Sequence, residues 1–259
     1  PPIYSREFGA VMIKKRQSEF PHIKTPPINI LDGDETVVIS ENLKVETFAI
    51  SHTIPDSMGL IIHTHLGDIV FVEDVRVDNI QGVPTDEEVE QYKRFKDKDI
   101  LMLTMDSTSV EKPGWSLSEQ EVIKNVETII KDTQGRLFIA AFASQVERLT
   151  AIVHLAEKYG KKIVIEGRSM KANLEIAKQL KILQADNIIP MSDIENYPPD
   201  KLVLLVTGSQ GEEFAVLGRM INDNHKQLKF RETDTVLLSS SIVPGNDRAV
   251  AKLKNGLFR

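Results

Sequence analysis

The chain has 259 residues, a formal net charge of -6, 41% hydrophobic residues and no cysteine. That length supports a large core in one or two domains, and the missing cysteines exclude a disulfide scaffold, a thiolate metal site and a cysteine nucleophile. No apolar run approaches the roughly 20 residues that span a bilayer, no charged-then-apolar leader opens the chain, and a negative total argues against broad wrapping of a polyanion.

A local basic groove remains compatible with that charge. Any metal must be held by His, Asp or Glu. The absence of cysteine fits a reducing compartment, so a cytoplasmic location and no membrane partner are expected.

In chain order, short strands are predicted at 37–40, 45–50, 59–63 and 69–72. Leu66-Gly67-Asp68 makes the last two a hairpin, so this part has antiparallel character. Residues 85–99 read as a helix whose charge runs, Asp86-Glu87-Glu88 and 93–98, form a solvated face. The apolar run 100–104 suits a buried strand.

The rhythm then becomes strand, turn, helix. Helices are predicted at 118–132, 146–159, 170–180 and 212–221, and strands at 137–141, 162–165, 202–207 and 235–239. Ser116 or Ser118 would cap the first helix and Gly160 would stop the second. From about residue 100 this predicts a parallel sheet with helices on both faces. The overall class is α/β. The abrupt Pro1-Pro2 opening and the helix-like ending AVAKLKNGLFR are expected of a piece of a longer protein.

In such sheets ligands gather at the C-terminal ends of strands. Five polar turns follow apolar strands directly: Asp106-Ser107-Thr108, Ser144-Gln145, Gly167-Arg168-Ser169, Gly208-Ser209-Gln210-Gly211 and Ser239-Ser240-Ser241. Their small residues, hydroxyls and backbone N–H groups suit phosphate oxygens. The Gly208–Gly211 turn is neither a dinucleotide fingerprint nor a P-loop. The serine run lacks a nucleophile elbow and a His/Asp partner.

His52 follows a strand in ISHTIPDSMG and reads by itself as a loop histidine bonded to a carbonyl. Asp74 ends an apolar strand, where a turn former or a metal-bridging carboxylate is equally at home. One His and one Asp fall short of the three protein ligands that hydrolytic metal sites need. His63 and His65 are read as surface-facing hairpin residues, not as ligands.

Taken in order, the motifs SHTIPDSMGLIIHTHLGDIVFVEDVRVD, LTMDSTSVEKPGWSLSE, FIAAFASQVERLTAIVHLAEKYGKKIVIEGRSM, LLVTGSQGEEFAVLGRM and SSSIVPGN resemble the ribonuclease J family of metallo-β-lactamase/β-CASP nucleases. The resemblance runs from about residue 30 to the end. It implies the C-terminal part of a metallo-β-lactamase-like αββα domain over 1–115 and a β-CASP domain over 116–259. It implies a metal-dependent phosphodiesterase, with two zinc ions, or manganese or magnesium, acting on 5′-monophosphorylated single-stranded RNA as exonuclease and endonuclease. By motif position, His52 and Asp74 are implied metal ligands. Asp74 bridges the metals, and Asp106 tunes the site. Ser144, Gln145 and Val146 match an RNA-contacting segment, with Gly167, Arg168, Ser169, Ser209 and Gln210 along the same edge. A homo-oligomer, or a hetero-oligomer with a paralogue, is the implied assembly.

Four departures accompany the resemblance. The family's H-x-H-x-D-H motif is expected upstream of Pro1, and its 5′-phosphate motif beyond Arg259. Glu73 replaces a usual Gly, and Glu147 a usual His. The chain by itself is therefore expected to be inactive, and a non-catalytic RNA-binding partner subunit is the alternative.

Overall fold

The computed structural model describes residues 1–258. Contacts divide the chain after Glu119 into two units.

The first unit begins with β1 (Ile3–Ser5), α1 (Glu7–Ser18) and β2 (Ile28–Ile30), the two strands pairing in parallel. Then follow β3 (Thr36–Ser40), β4 (Leu43–Ala49), β5 (Met58–Thr64), β6 (Gly67–Val72), the small hairpin β7 (Asn79–Ile80) and β8 (Val83–Pro84), α2 (Asp86–Tyr92) and β9 (Ile100–Met105). The main sheet has the order β3-β4-β5-β6-β9. It is antiparallel up to β6, and β9 adds in parallel to β6. Phe48, Ile61, Val70 and Val72 point to one face and pack with Tyr92 and Phe95. Gly59 has a packing reason: a Cβ there would lie 2.3 Å from the Phe48 ring.

Four expectations need correction here. First, 100–104 is not a buried strand. Leu101 and Leu103 are each 56% exposed and Met102 48%. Apolar content shows that a strand is fit for burial, not that a neighbour covers it, and β9 pairs on one side only. Nor does this strand join the later parallel sheet.

Second, the helix predicted over 85–99 is α2 followed by a 3-10 turn at Lys93–Phe95. Thr85 starts it, its Oγ1 accepting from the Glu88 N–H at 3.3 Å. Arg94 and Lys98 are drawn off to carboxylates, Asp34 at 2.5 Å and Glu46 at 3.2 Å. Third, Glu88 is not on a solvated face. It is 2% exposed and accepts from the Asp78 N–H. Fourth, His63 is not surface-facing. Its ring lies half-buried between Asp68 Oδ1 at 2.8 Å and Glu46 Oε2 at 3.2 Å.

The second unit follows the predicted rhythm. It comprises α3 (Glu119–Asp132), β10 (Leu137–Ala140), α4 (Val146–Lys158), β11 (Lys162–Glu166), α5 (Arg168–Gln179), β12 (Leu202–Val206), α6 (Val216–Ile221), β13 (Thr235–Leu238) and α7 (Asp247–Leu257). All strand pairs are parallel, in the order β11-β12-β10-β13. Every residue of β10 and β12 is buried, the pattern of strands covered on both faces. Phe138, Ala140, Leu204 and Val206 pack with Val216, Leu217, Met220 and Leu253 of α6 and α7. The alternate residues Leu137, Ile139, Val203 and Leu205 point oppositely and are equally buried. Gly160 does end α4, at φ +63°, and the Lys161 N–H donates to the Ala156 carbonyl at 2.7 Å.

The helix predicted over 212–221 begins only at Val216. The N–H groups of Val216 and Leu217 reach back to Thr207, whose hydroxyl and carbonyl accept at 3.4 and 3.1 Å. The Glu212 carboxylate accepts from the Gln210 N–H, so that stretch is a turn. Among the described residues no helix is long and apolar enough to cross a membrane.

Candidate functional site

In the first unit, β4, β6 and β9 run in the same direction, because β4 and β6 are each antiparallel to β5 and β9 is parallel to β6. Their C-terminal ends therefore share one sheet edge, which carries His52, Asp74 and Asp106. Two backbone bonds tie the loops together. The Arg76 N–H donates to the Ser51 carbonyl at 2.8 Å, and the Asp106 N–H to the Glu73 carbonyl at 3.1 Å. An open groove of about 560 Å³ is lined by Val72, Glu73, Asp74, Thr104, Asp106 and Thr108.

His52 Nε2 lies 4.0 Å from Asp74 Oδ2. Its Nδ1 is buried with no hydrogen-bond partner, so the carbonyl bond expected of an ordinary loop histidine is absent. Burial pushes its pKa down, against the pull of Asp74, which favours the neutral ring, the form that has a lone pair for a ligand. Asp74 is exposed, with 81% of its side chain open to solvent. Asp106 Oδ1 accepts from Thr108 Oγ1 at 2.5 Å and from the Thr108 N–H at 2.8 Å. Those bonds hold its carboxyl below the usual carboxylate range.

Imidazole and carboxylate donors suit zinc or manganese. However, among the described residues no three His, Asp or Glu side chains come within reach of one ion. The edge holds part of a donor set and does not by itself fit a complete metal centre.

In the second unit the connection from β10 leads past β12 to β11, while that from β12 leads past β10 to β13. The turns after β10 and β12 thus leave adjacent strands toward opposite faces, the switch point at which sheets of this kind take up ligands. The turns with Ser144, Gln145 and Val146 and with Gly208, Ser209 and Gln210 flank it. Asp106-Ser107-Thr108 belongs to the other sheet, so four of the five predicted turns share this edge.

The side chains differ in what they offer. Arg168 and Ser169 are exposed at the start of α5, and Ser144 is half-buried. Gln145 is 8% and Ser209 3% exposed, so only a small part of each faces solvent. Val146, by contrast, is fully buried at the start of α4 with its N–H bonded to the Ser144 carbonyl, so its side chain serves the core and not the RNA contact expected of it. Gly167 sits at φ +129°, and a Cβ there would meet Thr207 Cγ2 at 2.7 Å. Arg148, not predicted, donates from Nη1 to the Ser239 carbonyl at 2.9 Å. Arg76, also not predicted, pairs with Glu119 at 2.7 Å and straps the His52 loop. Neither carries a sequence signal, since each acts through a partner far along the chain.

One unit with a parallel doubly wound sheet and one with a mixed sheet that carries a histidine and acids at one edge fit the architecture of metallo-β-lactamase/β-CASP proteins. The family model for the ribonuclease J β-CASP domain matches residues 134–257. Ribonuclease J of Thermus thermophilus is 32% identical over 263 residues, covering 99% of this chain and 45% of its own. Ribonuclease J2 of Bacillus subtilis is 30% identical over 260 residues, covering 100% and 47%. Ribonuclease J of Corynebacterium glutamicum is 38% identical over 217 residues, covering 82% and 30%. A crystal structure of a protein of unknown function from Enterococcus faecalis shares the fold, with TM-score 0.56, 17% identity, and coverage of 78% of this chain and 52% of that one. The chain belongs to the ribonuclease J family, and it spans less than half the length of the first two relatives.

Proposed function

We propose that this chain is part of a cytoplasmic ribonuclease J that hydrolyses phosphodiester bonds in RNA processing and decay, as a 5′–3′ exonuclease and an endonuclease. The observation that carries this is the convergence of His52, Asp74 and Asp106 on one sheet edge, with the imidazole Nδ1 buried and unpartnered among them. Residues 1–115 are the C-terminal part of the metallo-β-lactamase-like domain and 116–259 the β-CASP domain. Two zinc ions, or manganese or magnesium, are the cofactors this reading calls for. His52 and Asp74 are two of their donors, Asp106 steadies them, and further donors lie outside this set. The substrate is single-stranded RNA with a 5′-monophosphate. Ser144, Gln145, Arg168, Ser169 and Ser209 mark the edge that faces it, with Val146 buried beneath and free backbone N–H groups at turns and helix starts meeting phosphates. The protein works as a homo-oligomer or beside a paralogue, and this chain by itself is inactive.

The test uses the whole enzyme. His52→Ala and Asp74→Ala are expected to lose bound metal and to cut turnover by more than about a hundredfold. Unchanged turnover in either variant overturns the assignment. Glu73 and Glu147, where the family resemblance leads one to expect Gly and His, favour a second reading: a partner subunit that binds RNA without cutting. Wild-type protein that binds RNA but neither metal nor cleavage activity would establish it.

A further inference from the structure

Gln210 was expected to line the RNA-facing edge. The structure spends its side chain elsewhere. Gln210 is 4% exposed. Its Nε2 donates to Ser240 Oγ at 3.2 Å and to the Ser241 carbonyl at 2.9 Å. Its Oε1 accepts from the Val243 N–H at 2.8 Å and from Asn246 Nδ2 at 3.4 Å. An amide has two N–H donors and an oxygen with two lone pairs, so all of its bonding capacity goes to one segment, 240–246.

The anchor is itself fixed. The Gln210 N–H is held by the Glu212 carboxylate at 3.1 Å. Gly211, at φ +79°, presses so close to α7 that a Cβ would lie 2.4 Å from the Ala249 carbonyl oxygen. From the other side, Arg148 of α4 holds the Ser239 carbonyl. Segment 239–246 is therefore tied to elements that follow both strands at the switch point, β10 through Arg148 and β12 through Gln210.

What the segment displays is uncharged. It reads SSSIVPGN, with no cation to pair with a phosphate. Ile242 and Val243 stand 38% and 42% exposed. An apolar surface held beside the proposed RNA-facing edge suits the faces of unpaired bases, which pack against aromatic and apolar side chains. We infer that Gln210 is a positioning residue: it latches segment 240–246 as the wall of the RNA groove that receives unpaired bases. This rests on the ribonuclease reading above.

The experiment is made on the whole enzyme with single-stranded RNA. In Gln210→Ala the Val243 amide should exchange with deuterium at least roughly tenfold faster, since its acceptor is gone. KM should rise roughly tenfold while kcat stays within about twofold, as for loss of uniform binding. The double variant Ile242→Ser, Val243→Ser leaves the latch intact and should raise KM without a change in kcat. If Gln210→Ala fails to fold, this double variant decides. Unchanged KM in the double variant, or faster exchange with unchanged KM in Gln210→Ala, overturns the latch while wild-type RNA binding stands. A wild-type enzyme that binds no single-stranded RNA overturns the ribonuclease reading instead.

Discussion

Arg136 and Asp234 form a buried pair in the second unit, their side chains 4% and 2% exposed. Arg136 Nε donates to Asp234 Oδ1 at 2.9 Å and Nη2 to Oδ2 at 2.6 Å, a bidentate fork. Nη2 also donates to the Lys229 carbonyl, and the Arg231 N–H donates to Asp234 Oδ2 at 2.8 Å. The guanidinium lies 5.2 Å from the centre of the Phe138 ring. Asp234→Ala removes the carboxylate and leaves a cation buried beside an apolar core. Removing one partner of such a pair costs about 3–5 kcal/mol, a large fraction of the ~5–15 kcal/mol that holds a domain together. With a urea slope of about 2 kcal/mol per M, the unfolding midpoint should fall by roughly 1.5–2.5 M. Arg136→Met combined with Asp234→Leu should recover most of the loss, because no unpaired charge remains. Urea unfolding followed by circular dichroism gives both numbers. A midpoint for Asp234→Ala within about 0.3 M of wild type would refute the reasoning.

Tyr92 gives a pH-dependent test: burial and then the Glu88 charge push its hydroxyl up to about 12. A raised pKa means that the neutral phenol is favoured in the fold. That stability is whole below the unfolded value near 10 and is lost as pH rises through about 12. Tyr159 is also raised, by its bond to Glu127, so the Tyr92 phase is identified as the late tyrosinate absorbance that Tyr92→Phe removes, and Glu88→Gln should move it only part of the way back, since burial remains. A group titrating at the ordinary value would contradict the packing described. Gly211→Ala forces a Cβ to 2.4 Å from the Ala249 carbonyl oxygen at φ +79° and should cost about 2 kcal/mol or more. An unchanged melting temperature would refute the close approach of Gly211 to α7.

Much of the second unit was legible in the sequence. Apolar strand runs, helical periodicity and Gly160 are local signals, and local chemistry dictates them. The ordered motifs also carried the family and the candidate residues His52, Asp74 and Asp106. Their meeting at one edge was not legible, because it depends on β4, β6 and β9 running the same way in one sheet. The sequence determined which segments could be strands or helices and which side chains could bind a metal or a phosphate. Tertiary structure decided that ILMLTM is an open edge rather than a core strand, that Glu88 is buried, that His63 is held between two carboxylates, and that Gln210 faces a neighbouring loop. The physical reason is common to all four. Burial, ion pairing and hydrogen-bond partners belong to whatever lies across space, and a residue's own type and spacing do not encode that neighbour.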